Sequence, residues 1–168
     1  MRKALEALGR SRGDATAKAL LDLAAYFPAG GDARAAAILG LDARRAEFAS
    51  WRVADAAPVV EEALRSETSR PDVMVPLVRL AAAMGARLAP SLERLARHSD
   101  AEVLVEAAEA LADQGRVKAL PALKEAASGA MTDPRFSPKE GRPDPAALLA
   151  RLEKAVAALE KTKGATVP

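Results

Sequence analysis

The chain has no cysteine, which excludes a disulfide framework, a thiolate nucleophile and a Cys-held zinc or iron–sulfur centre. A single histidine cannot build a His-rich metal site, and no cofactor is expected. Aromatics make up only 3% of the 168 residues although half are hydrophobic, so the core must be assembled from small apolar side chains. No run approaches the roughly 18 apolar residues of a membrane span. Met1 to Arg12 mixes charge with Ala and Leu instead of forming the apolar centre of a signal peptide, and a cytoplasmic location is expected. An excess of one charge is also missing. Lys and Arg total 25 against 23 Asp and Glu, a net charge of +2, too slight to mark a nucleic-acid or anionic-lipid binder. Gly30 and Gly31 precede a helical stretch but lack the Lys and Ser or Thr of a phosphate loop.

What the chain does contain is helix former. A quarter of its residues are Ala, with Leu, Glu, Arg and Lys supplying much of the rest, all residues that lose little entropy in a helix. Apolar residues recur at helical spacing: Val73, Leu77, Leu80 and Met84 form one stripe, and Leu88, Leu92 and Leu95 another. Start and stop signals divide this text. Asp14, Asp32, Asp42 and Asp100 stand before periodic runs, Ser99 with Glu102 has the form of a capping box, and Asp144–Pro145 that of a cap followed by a first-turn proline. Gly85 and Gly115 sit where a left-handed residue ends a helix. Helices are therefore predicted at about 2–9, 14–26, 32–41, 43–52, 54–66, 72–84, 86–98, 101–114, 116–129 and 145–162.

The chain also resembles itself at an offset of about 30 residues. DVMVPLVRLAAAMG, from Asp72, overlies EVLVEAAEALADQG, from Glu102, and aligns Gly85 with Gly115. ARLAPSLERLA, from Ala86, overlies VKALPALKEAA, from Val117, and ADAAPVVEEAL, from Ala54, which puts Pro58, Pro90 and Pro121 in one slot near the start of a second helix. The unit reads helix, glycine turn, proline-marked helix. One such pair cannot bury its apolar stripe alone, but stacked pairs can.

The block GRVKALPALKEAA, preceded by SDAEVLVEAAEALADQ, resembles the HEAT-like repeats first described in phycobiliprotein lyases. Asp100, Ala107, Ala108, Ala110, Leu111, Gly115, Ala119, Leu120 and Pro121 fill the places typical of such repeats, and the resemblance extends over about residues 2–127 in four pairs. It implies an all-α, right-handed solenoid of about four helix pairs. Three segments of one domain are expected: the repeats at 1–130, a proline-rich loop at 131–144, and a C-terminal helix at 145–163 that caps the stack with Leu148, Leu149, Leu152, Val156 and Leu159.

Such repeats are usually protein-interaction scaffolds, and the second helix of each pair lines the concave face. That places Asp55 and Glu62, then Arg87, Ser91 and Arg94, then Lys118 and Glu125 where a partner would touch. The sign of this stripe changes along its length, which suits a protein of mixed charge better than a nucleic-acid backbone. A non-enzymatic protein-binding module follows. Two alternatives stay open: nucleic-acid binding or base repair, against which Asp55 and Glu62 argue, and a lyase or chaperone role toward a cofactor-bearing protein, which rests on the resemblance alone.

Other residues have plainer readings. Arg65 and Arg97 each follow a glutamate, Glu61 and Glu93, by four positions and are expected to pair with it along the helix. His98 is expected to cap a helix C-terminus. Glu61 with Glu62 and Glu106 with Glu109 could serve as acid and base, but such pairs occur on any polar helix face. Tyr26, Phe27, Phe48 and Trp51 are expected in the core. Phe136, isolated in the proline-rich loop, either tucks under the last helix or anchors a partner.

Overall fold

Helical periodicity and low aromatic content are realised as an all-α structure, described by a computed structural model for residues 14–48, 53–67 and 70–165. No strand occurs among the described residues, and none of their helices is long and apolar enough to cross a membrane. The chain divides into two compact units, residues 1–88 and 89–168. The expected helix at 2–9, the end of that at 43–52, and Trp51 lie outside the described residues.

In the first unit α1 (Asp14–Tyr26) packs on α2 (Asp32–Asp42), and α2 packs on α5 (Pro71–Ala83). The short α3 (Arg45–Phe48) and the longer α4 (Val53–Ser66) also rest on α5, and a 3-10 turn, Gly85–Leu88, follows. Leu20, Ile38, Leu41, Met74, Leu77 and Leu80 fill the centre. The stripe read from sequence, Val73, Leu77, Leu80 and Met84, is buried throughout. Alanines such as Ala17, Ala24, Ala37 and Ala81 are buried between these large residues, where a methyl side chain lets helix axes come close.

Buried charge ties this unit together. Glu67 is 2% exposed and accepts the Gly30 N–H with both carboxylate oxygens at 3.1 Å, while Arg34 Nε lies 3.4 Å from the same group. Arg70 Nη1 donates to the Gly30 carbonyl at 3.2 Å and to Asp32 at 3.3 Å. Gly30 has a left-handed φ of 77°, a conformation that a side chain would disfavour.

The second unit holds α6 (Ala89–Leu95), α7 (Ala101–Asp113), a 3-10 turn at Val117–Ala119, α8 (Leu120–Gly129), a further 3-10 turn at Pro134–Phe136, and α9 (Pro145–Ala165). α7 packs on α6, and α9 lies against both α7 and α8. Leu148, Leu152, Ala155 and Leu159 of α9 are buried, while Leu149 and Val156 are half-buried. Phe136 is 7% exposed, in a turn that touches α9.

Several local expectations needed correction. The stretches 86–98 and 116–129 are each a 3-10 turn followed by an α-helix, with Pro90 and Pro121 at the second helical position. A proline there has no N–H to continue an i→i−4 ladder back into the preceding turn. Pro58 does not share that slot but lies inside a continuous α4. At α7 the cap is Asp100, not Ser99: its Oδ1 accepts from the N–H groups of Glu102 at 3.0 Å and Val103 at 3.3 Å. At the other end of α7, Gly115 has φ 63°, its N–H donates to Ala112 and that of Arg116 to Leu111, the double closure of a Schellman motif. Tyr26, expected in the core, is 83% exposed and meets the Phe27 ring edge-on at 5.5 Å, because α1 ends on it and presents it outward.

Candidate protein-binding groove

The two proline-marked helices of the second unit border an open groove of about 600 Å³. Its floor is made of Ala96, Ala122, Ala126 and Gly129, so nothing larger than a methyl group projects from it. Arg97, just beyond α6, and Glu125, on α8, stand exposed beside this floor. The turn carrying Thr132, Asp133 and Arg135 closes one side.

The charges around the groove are in two states. Arg135 is saturated: its Nε donates to Asp133 at 2.8 Å and its Nη1 to the His98 carbonyl at 3.0 Å. The Arg135 guanidinium, first by its hydrogen bond and further by its charge, holds the Asp133 carboxyl below the ordinary value despite partial burial. Arg97 and Glu125, by contrast, make no side-chain hydrogen bond or ion pair among the described residues. The expected helical pair of Glu93 with Arg97 does not form. Glu93 turns instead to Arg116 at 3.1 Å and Lys118 at 3.5 Å, two cations that the chain brings back against it from beyond α7. Glu61 and Arg65 do pair as expected, at 3.4 Å.

The stripe read from sequence is distributed over both units. Asp55, Glu62 and Arg87 are exposed in the first, where Asp55 lines a smaller cleft of about 250 Å³ with Lys18 and Asp22, and Glu62 pairs with Arg65 at 3.5 Å. In the second unit Arg94 and Lys118 are exposed, and Glu125 lies in the groove. Ser91 does not fit a contact surface: it is 3% exposed and its hydroxyl accepts from Arg94 Nη2 at 3.1 Å.

His98 acts differently from the cap that its position suggests, since its Nδ1 accepts the Asp100 N–H at 3.0 Å instead of donating to terminal carbonyls. The carboxylate pairs are also occupied. Arg151 Nη2 donates to Glu106 at 3.0 Å and to Glu109 at 2.6 Å, and these contacts, Glu109 foremost, raise the guanidinium above its ordinary value against the opposing effect of burial. Glu61 and Glu62 both face Arg65. No cluster of three or more His, Asp or Glu suited to a metal occurs among the described residues.

Long-range ion pairs were not legible in the sequence, among them Arg34 with Glu67, Arg142 with Asp100 at 3.0 Å and Glu102 at 3.2 Å, and Arg151 with Glu106 and Glu109. The last two join residues 40 to 45 positions apart, beyond the reach of any helical spacing rule. No family model, curated protein or solved structure matches this chain.

Proposed function

We propose that the chain is a non-enzymatic protein-binding module of the HEAT-like type, a right-handed solenoid of about four helix pairs closed by its last helix and working in the cytoplasm. Its partner is a protein, met on the face of the proline-marked helices. The observation that carries this reading is the groove beside α8: an open floor of Ala and Gly flanked by a cation, Arg97, and an anion, Glu125, that make no side-chain pair among the described residues. Unpaired charges of both signs around a small-residue floor suit a protein surface, where shape and opposite charge are matched together. A phosphodiester backbone would leave Glu125 facing negative charge.

The test is comparative capture from lysate with the tagged full chain, its Arg97→Glu and Glu125→Lys variants, and the Arg87→Glu/Arg94→Glu variant, each shown by circular dichroism to keep its helices. A protein retained by the wild-type chain and lost with the groove variants supports the reading. Identical captures by all four would sink it, and retention of duplex DNA at physiological salt would replace it with the nucleic-acid alternative.

A further inference from the structure

We infer that the groove is a self-docking surface whose occupant is a second copy of this chain. The wall carrying Arg97 seats in the groove of the second copy, so that Arg97 faces Glu125 of that copy and Glu125 faces its Arg97. The inference rests on the proposed binding role of the proline-marked helices and names their partner.

A two-fold dimer requires a patch that complements itself: where residue i meets residue j of the other copy, j meets i in return. A surface of one sign repels its own copy, whereas this one carries both a cation, Arg97, and an anion, Glu125, around one groove. Neither charge is paired among the described residues. Glu93, the helical neighbour that would neutralise Arg97, is held by Arg116 and Lys118, and the other charged pair at the groove, Asp133 with Arg135, is closed on itself. The floor of Ala96, Ala122, Ala126 and Gly129 supplies the second requirement, room for the turn carrying Arg97 to approach closely. A net charge of +2 puts little overall repulsion between copies. Exposed ion pairs add little each, so association is weak, concentration-dependent and sensitive to salt.

Sedimentation velocity of the full chain at low salt, over a concentration series, tests this directly. The wild-type chain is expected to move toward dimer as concentration rises. Arg97→Glu and Glu125→Lys, each replacing an attraction with a repulsion twice over, are expected to weaken association by about tenfold or more. The double variant Arg97→Glu/Glu125→Lys restores opposite charges and should recover the dimer, and an equimolar mixture of the two single variants should form a mixed dimer. A wild-type chain that stays monomeric throughout overturns the inference, as do single variants that associate like the wild type or a double variant that does not recover. If the chain is monomeric yet loses a captured protein with Arg97→Glu, self-docking fails while the binding reading stands. If neither dimer nor lost capture is seen, both fail.

Discussion

At the scale of single residues, arginine organises this molecule by bridging distant carboxylates. The buried pair of Arg34 and Glu67 is the most demanding case, since both side chains are nearly inaccessible and Glu67 also satisfies the Gly30 N–H. Removing one member of such a pair leaves the other charge buried and uncompensated. Glu67→Ala is expected to cost about 3 kcal/mol, read as a lowered midpoint in chemical denaturation; a loss below about 0.5 kcal/mol would show that water reaches Arg34. Asp133 gives a pH signature. Its carboxyl is held below the ordinary value of 3.8 in the folded chain, first by the hydrogen bond from Arg135. A group depressed on folding contributes stability above its unfolded value and loses it as pH falls through the folded value. The stability gap between wild type and Asp133→Asn should thus stay constant from neutral pH down to about 4 and close below it. A gap that closes near neutrality would contradict this assignment.

At the scale of elements, turns and caps decide where helices stop. Gly115 closes α7 in a left-handed conformation, and a Cβ built on it would meet Thr162 at an ordinary 3.5 Å. The cost of Gly115→Ala is therefore conformational, about 1 kcal/mol, and thermal unfolding should show a similar loss for Gly85→Ala, where φ is 69° and the space is open. A much larger loss at Gly115 alone would mean that the contact with Thr162 is tight. α9 belongs to the core of its unit: Leu152 is fully buried, and Leu152→Ala should destabilise by about 3 kcal/mol through lost burial and the cavity left behind, measurable by denaturant titration. The glycine stops and apolar stripes could be read from sequence because both depend on local backbone geometry. The split of the segments marked by Pro90 and Pro121 into a 3-10 turn and an α-helix could not, because a proline near a helix start is compatible with either form. Tyr26 was misplaced for a related reason, since hydrophobic size says nothing about which side of a helix end faces solvent.

For the whole molecule, the proposed protein-binding role carries a prediction about nucleic acid, since a net charge of +2 offers a phosphate backbone little attraction. The full chain should release duplex DNA below about 0.15 M salt, and retention at that ionic strength in a filter-binding assay would contradict the reading. The all-α class, the principal helices, the glycine turns and the buried face of α5 are legible in the residue order, since each follows from spacing and propensity along a continuous stretch of chain. Of the residues expected to touch a partner, Glu125 lines the groove and Ser91 is buried. Which charges pair with which depends on the folded arrangement of the elements. Glu93 stands four positions before Arg97, but α6 ends at Leu95 and Glu93 pairs with Arg116 and Lys118, because chain folding brings cations to it from another element and local spacing carries no information about that competition. The same holds for Arg142 and Arg151, whose carboxylate partners on α7 and at its cap are reached only after the chain folds back.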